Sequence, residues 1–250
     1  MRRARVAWAG AVHEAVPHGE ALLRLPDGRV VAEDAVVWLP PLEPGTIIAL
    51  GLNYADHAKE LAFDASKADE PLVFLKGPNT LVGHRGFTPR PPDASFMHYE
   101  CELAVGIGRP ARRVKREDAR AHVAGYTVAN DYAIRDYLEN WYRPNLRVKN
   151  RDACTALGPW LVDADDVPWP PRLELTTAVN GRVTQRGHTR DLIHDIGALI
   201  EYLSGFMTLS PGDLILTGTP EGVVDVQPGD EVVCEIEGVG RLVNTIVARE

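Results

Sequence analysis

Met97-His98-Tyr99-Glu100-Cys101-Glu102-Leu103-Ala104-Val105-Gly106 reads as one β-strand that enters an apolar run through two acids spaced two residues apart. Side chains alternate faces along a strand, so Glu100 and Glu102 project together. Like charges at that spacing repel unless a cation or a cleft compensates them. Ordinary solvent exposure is the simpler explanation and, for the pair alone, outweighs metal binding. A third acid shifts the balance. Asp131 stands at the end of the apolar run 123–129, where a carboxylate is costly without a partner. Three carboxylates suit a hard divalent cation, Mg²⁺ or Mn²⁺, and octahedral coordination leaves about three positions for substrate and water. His98 and Cys101 lack the spacing of a structural zinc site; His98 reads as a supporting or structural residue and Cys101 as facing away from the metal.

Outward from this strand the chain is dense in β-type runs, such as residues 46–50 and 214–216, punctuated by glycine and proline. Residues 1–45 read as a small β region, with runs at 22–25 and 30–32 flanking the Pro26-Asp27-Gly28 turn and a proline-rich linker at 40–45. Residues 46–250 form the second, larger unit. Helical periodicity is confined to 116–122, 132–139 and 195–206. The expected class is a β-rich α+β fold.

The 250 residues are 45% hydrophobic and 25% charged, ordinary globular usage. A formal charge of -8 argues against nucleic-acid binding, which concentrates Lys and Arg. The Met1-Arg2-Arg3-Ala4-Arg5 start resembles a signal peptide, but the apolar stretch after it is short and gives way to His13 and Glu14. No apolar run approaches the roughly 18 residues needed to span a bilayer. Cys101, Cys154 and Cys234 are odd in number and widely spaced, which suits buried reduced thiols and a cytoplasmic location.

Candidate proton carriers follow the strand at 46–50. His57 and Glu60 are three apart in what reads as a short helix, so the carboxylate can orient the imidazole as a general base; an exposed ion pair is an equal alternative. Alternation over 145–152 places Arg147, Lys149 and Arg151 on one side if the segment is extended, facing either an anionic substrate or solvent. Arg135 follows Asp131 by one helical turn, within reach of a substrate carboxylate or of an acid. Thr217-Gly218-Thr219-Pro220, after a buried strand, offers N–H groups and hydroxyls to an anion, though this motif alone is weak.

Taken in order, Asn53-Tyr54-Ala55-Asp56-His57, Glu100-x-Glu102, Asn130-Asp131, Lys149 and Thr217-Gly218-Thr219-Pro220 resemble the fumarylacetoacetate hydrolase family, from about residue 46 to the C-terminus. The resemblance implies a mixed β-roll or distorted barrel, usually dimeric, with Mg²⁺ or Mn²⁺ on Glu100, Glu102 and Asp131. It implies His57, Glu60 and Lys149 as catalytic residues, and Asn53, Tyr54, Lys76, Arg135, Gly218 and Thr219 around the substrate. Segments 131–140 and 147–152 resemble members that act in aromatic-acid catabolism and are usually built from two related halves. This chain resembles the half that keeps the metal acids, so a homodimer or pairing with a related subunit is expected. The implied substrate is a small 2-oxo di- or tricarboxylate. The implied reactions are decarboxylation of 5-carboxymethyl-2-oxo-hex-3-ene-1,7-dioate and isomerisation of 2-hydroxyhepta-2,4-diene-1,7-dioate. Acylpyruvate hydrolysis or oxaloacetate decarboxylation on the same chemistry is the close alternative. A non-catalytic, metal-stabilised binding subunit is the alternative of a different class.

Overall fold

The computed structural model describes residues 1–56, 70–138 and 145–249. His57 and Glu60 lie outside the described residues. The first strands are β1 (Arg2–Trp8), β2 (Ala11–Pro17), β3 (Leu22–Arg24), β4 (Val30–Ala32) and β5 (Val37–Leu39). Next come β6 (Ile47–Gly51), β7 (Leu72–Lys76), β8 (Leu81–Val82), β9 (Phe87–Arg90), β10 (Met97–His98) and β11 (Cys101–Ile107). β12 (Val123–Asp131) and β13 (Ala133–Ile134) precede helix α1 (Leu146–Lys149). β14 (Thr155–Asp163), β15 (Glu174–Val179) and β16 (Arg182–His188) lead to helix α2 (Ile196–Phe206), and β17 (Leu214–Leu216), β18 (Glu231–Ile236) and β19 (Gly240–Ala248) complete the chain.

The main sheet runs β4-β3-β2-β1-β14-β12-β11-β17-β6-β7, with β5 on β1 and β8 on β14. A second sheet runs β16-β15-β18-β19-β9. The predominance of strands fits the β-rich class expected from the sequence. β1 joins β14 through Arg2↔Val162 and Arg3↔Leu161, so the N-terminal strands extend the main sheet while keeping their own apolar cluster around Val6, Leu23 and Trp38.

β11 is buried along its whole length, and its alternation assigns each face a task. Cys101, Leu103, Val105 and Ile107 enter the principal core, with Cys234, Val232 and Leu242 from the second sheet. Ala104 faces the other way, into a smaller cluster with Ile47, Ala49, Phe74, Ala129, Leu157, Leu214 and Leu216. Phe74 on the terminal strand β7 and Leu157 on β14, five places away along that sheet path, share one cluster, so this part of the sheet curls into a roll. Among the described residues no ladder joins β7 to β14; the short β8, parallel to β14 at Thr155↔Leu81, lies in the gap.

Helix α2 begins where expected. Asp195 is its N-cap, its Oδ1 accepting from the Ala198 N–H at 2.9 Å. It buries Ile196, Leu199, Ile200 and Leu203, worth about 1.5–3 kcal/mol each. Residues 116–122 form a 3₁₀ helix.

Three local expectations are corrected. The strand expected over 97–106 is split, with Tyr99 and Glu100 between β10 and β11. Its first part pairs instead with β13, through Met97↔Ile134 and His98↔Ala133. That pairing displaces the helix expected over 132–139, leaving a 3₁₀ turn at Arg135–Tyr137. The extended row over 145–152 is a helical turn, α1, which points Lys149 inward while the Arg147 side chain stays 62% exposed. Among the described residues no helix is long and apolar enough to cross a membrane.

Candidate metal centre

The β11–β12 register, with Cys101↔Asn130 and Glu102↔Ala129, sets Glu102 beside the end of β12. The Asp131 N–H donates to the Glu100 carbonyl at 2.9 Å, and the Asn130 Oδ1 accepts the Glu100 N–H at 3.0 Å. Glu100, Glu102 and Asp131 are all buried, and one carboxylate oxygen from each lies within 4.8 Å of the others. The period-2 spacing thus brings both glutamates to one point, although Glu100 itself has left the strand.

Burial raises the Glu102 carboxyl well above the usual range, and the charges of Asp131 and Glu100 push it further. Its Oε2 accepts the Gly218 N–H at 2.6 Å, while Oε1 is buried without a hydrogen-bond partner among the described residues. The Lys149 ammonium lies 2.5 Å from Glu100 Oε2 and 2.9 Å from Asp131 Oδ2. Burial alone would lower this amine's pKa, but Asp131, Glu100 and Glu102 overcome that and hold it protonated. Lys76 lies 2.6 Å from Asp131 Oδ1 and donates to the Lys149 carbonyl. Three carboxyl groups meet two lysine amines here, and one Glu102 oxygen is left without a partner among the described residues. An all-oxygen donor set with an unsatisfied buried lone pair fits a hard divalent cation.

His98 is fully buried, and Arg135 donates to its Nε2 at 3.0 Å. Arginine has no acceptor, so the neutral ring carries its proton on Nδ1, which faces the Tyr99 carbonyl at 3.2 Å and Glu100 Oε1 at 3.6 Å. Burial lowers the His98 pKa to about 4 against the opposing pull of Glu100. His98 therefore connects Arg135 to the triad, a link that replaces the expected helical turn from Asp131. Cys101 faces the opposite core, and all three cysteines are free and buried.

The other expected residues surround the triad. Asn53 is spent on backbone: its Nδ2 donates to the carbonyls of His194 and Thr217, and its Oδ1 accepts from the His194 N–H. Burial raises the Tyr54 hydroxyl pKa, with Cys101 and Glu102 adding to the shift. Gly218 adopts φ +93°, where a Cβ would meet the Asn53 Cβ at 3.0 Å; a side chain at this position would strain the turn that presents its N–H to Glu102. Arg147 and Arg151, expected beside Lys149, instead have their guanidinium carbons 3.9 and 5.4 Å from the Tyr137 ring centroid. Two supporting residues escaped the sequence reading: Tyr99, whose hydroxyl donates to Thr184 Oγ1 at 2.6 Å, and Gln185 beneath Thr219. Asn130, quoted with Asp131 in the motif set, had no role assigned until its bond to Glu100.

Residues 46–247 match the family described as fumarylacetoacetate (FAA) hydrolase C-terminal. The chain belongs to this family. Within the fumarylacetoacetate hydrolase family it is 60% identical over 227 residues to a Salmonella dublin protein named 4-hydroxyphenylacetate degradation bifunctional isomerase/decarboxylase, covering 88% of this chain and 52% of that protein. The chain spans about half the length of the bifunctional relatives that it matches. A Mycobacterium smegmatis structure named 5-carboxymethyl-2-hydroxymuconate delta-isomerase is similar at TM-score 0.86 and 38% identity, with 100% of both chains covered. A Sphingobium maleylpyruvate hydrolase, solved with manganese(II) and pyruvate, is similar at TM-score 0.83 and 28% identity over 100% of both chains.

Proposed function

We propose that this chain uses Mg²⁺ or Mn²⁺, held by Glu100, Glu102 and Asp131, to decarboxylate 5-carboxymethyl-2-oxo-hex-3-ene-1,7-dioate and isomerise 2-hydroxyhepta-2,4-diene-1,7-dioate. The observation that carries the proposal is the convergence of three buried carboxylates with a protonated Lys149 between two of them. The 60% identity to the bifunctional isomerase/decarboxylase supports this choice of substrate.

When bound, the cation supplies Lewis-acid stabilisation to an enolate forming at the 2-oxo group. Lys149 adds a fixed positive charge at the same point, already desolvated and in need of no reorganisation. Arg135, held by neutral His98, and the Thr219 hydroxyl take carboxylate oxygens, while Gly218 holds Glu102 in place. Tyr54 borders the substrate; Asn53 and Lys76 contribute by fixing Thr217 and Asp131. In decarboxylation a C–C bond to a carboxylate breaks, CO₂ leaves, and the bonding pair moves through the enone towards the 2-oxygen. His57, oriented by Glu60, returns a proton to carbon and moves the proton of the dienol-to-enone step.

Residues 46–250 form the catalytic unit in this reading, residues 1–45 its β appendage, and the working particle is a homodimer or a pair with a related subunit. Three buried thiols without a disulfide among them suit the cytoplasm. The test is to give the Mn²⁺-loaded protein the tricarboxylic substrate and follow CO₂ release and enone absorbance, with an acylpyruvate and oxaloacetate as parallel substrates. Turnover of the tricarboxylate above the other two is expected. Preference for an acylpyruvate would overturn the substrate assignment in favour of hydrolysis, the reaction in the name of the Sphingobium structure. Loss of melting stability on chelation, with no turnover of any substrate, would make the acids a structural site.

A further inference from the structure

The loop after β17 rests directly on β16. A Cβ on Gly187 would lie 2.5 Å from Pro220, and one on Gly222 would lie 2.7 Å from the Thr184 carbonyl. Between those contacts sits Gln185, 1% exposed, and all of its amide hydrogen-bonding groups are engaged. Its Oε1 accepts from the Thr177 hydroxyl at 2.7 Å; its Nε2 donates to Thr219 Oγ1 at 2.9 Å and to the Pro220 carbonyl at 2.7 Å. A carbonyl oxygen can only accept, so Pro220 fixes which end of the amide is NH₂. Thr219 Oγ1 is thereby obliged to accept from Gln185. Its own proton is directed to some other acceptor. One residue back in the same loop, the Gly218 N–H donates to Glu102, so the loop that carries the hydroxyl borders the metal centre.

We infer that Gln185 is a positioning residue that polarises the Thr219 hydroxyl as a donor to the carboxylate of a bound 2-oxo acid, an inference that rests on the 2-oxo acid reading above. A threonine free to rotate could present its lone pairs to that anion as readily as its proton. Gln185 removes the choice from beneath, without touching substrate. Pairing Thr177↔Gln185 on the inward side of the second sheet holds the amide fixed, so the second sheet serves the site on the first.

The test measures binding of pyruvate, the smallest 2-oxo monocarboxylate of this type, to the Mn²⁺-loaded full chain by calorimetry. Gln185→Met keeps the length and most of the volume of the side chain but neither donates nor accepts, so the Thr219 hydroxyl is free to turn its lone pairs to the anion. We expect its pyruvate affinity to fall about tenfold, the scale of one hydrogen bond to a charged group, with Mn²⁺ affinity close to wild type and a melting temperature lowered by the unpaired Thr177 and Pro220 groups. Thr219→Val should lose a similar factor, and adding Gln185→Met to it should cost nothing further in pyruvate affinity. Gln185→Asn, which keeps both amide functions one methylene short of Thr219, should fall between. An unchanged pyruvate affinity in both Gln185 variants, or losses that multiply in the double variant, would overturn the inference. So would a fall in pyruvate affinity matched by an equal fall in Mn²⁺ affinity, the sign of a merely structural role. A wild type that binds pyruvate in this Gln185-dependent way yet turns over none of the substrates would remove the proposed reaction and leave the inference standing. A wild type that binds Mn²⁺ but not pyruvate would remove both.

Discussion

Replacing Glu102 with glutamine should raise the melting temperature of the metal-free protein and lower that of the metal-loaded one. Glu102 is fully buried, with one oxygen on the Gly218 N–H and the other without a hydrogen-bond partner among the described residues, beside Asp131 and Glu100. Without metal, glutamine keeps an acceptor for Gly218, cannot ionise beside Asp131 and Glu100, and gives its neighbours a fixed donor. Relief of one unsatisfied buried acceptor is worth about 1–3 kcal/mol, which at about 2–4 °C per kcal/mol for a chain of this length is a rise of about 5 °C. With Mn²⁺ at about 1,000 times its Kd, wild type gains about 4 kcal/mol, or about 12 °C. Losing one charged ligand of three should weaken binding at least about 100-fold, so the variant gains only about 1.4 kcal/mol, or about 4 °C, at the same concentration. The two proteins should therefore exchange rank when Mn²⁺ is added, the variant melting higher before and lower after. Calorimetric scans of chelated and Mn²⁺-saturated samples read this directly. A variant that melts lower by the same amount in both states would refute the reasoning, because its defect would lie in packing rather than in charge.

Lys149→Met removes the ammonium that separates Glu100 from Asp131, and breaking such a buried pair should destabilise the metal-free protein by about 3–5 kcal/mol; Mn²⁺ should restore most of that loss, while turnover stays down about 10²–10⁴-fold. Equal melting losses with and without Mn²⁺ would count against the electrostatic account. Gly218→Ala forces a side chain into φ +93° against Asn53 and should cost about 1–3 kcal/mol with weaker Mn²⁺ binding, measured by urea unfolding and metal titration; a stability loss with metal affinity intact would show that the Gly218–Glu102 bond is dispensable. His84 is a pH-dependent element away from the metal centre. Burial against Trp38, with help from Arg85 and Arg241, lowers its pKa to about 3, and its Nδ1 accepts the Val243 N–H. Its folded pKa is depressed, so between about pH 6.5 and 3 the unfolded chain holds the extra proton and stability falls as pH drops; the loss from pH 7 to pH 5 is about 2 kcal/mol. His84→Asn should flatten that part of the urea-midpoint profile, and an unchanged slope would show that other groups carry it.

The metal centre was legible because its geometry follows from periodicity. Two glutamates two residues apart share a face, and an aspartate closing a neighbouring buried strand comes beside them once β11 and β12 pair. The helix α2 was legible for the same reason, its apolar positions recurring at helical spacing. Where tertiary contacts outweighed local pattern, the reading failed. Ile134 and Leu138 suit a helix face, but the ladder with Met97 takes Ile134 into a strand, and Arg135 turns to His98 instead of Asp131. Lys149 alternates with two arginines in sequence, yet the carboxylates that surround it in space hold it in a helical turn and separate it from them. Gln185 left no mark that local pattern could show. Asn180 and Gly181, both at positive φ, turn the β15–β16 hairpin, and only the fold reveals that a glutamine opposite Thr177 lies beneath a loop from the other sheet.

The unclosed edge of the roll ties its shape to its chemistry. Peptide ladders fix the spacing of neighbouring strands, but where the ladder is missing, Lys76 on the terminal strand reaches Asp131 and acts as a clasp. The girth of the rim is therefore held in part by charge, and a neutral residue in place of Lys76 would leave that edge without its clasp.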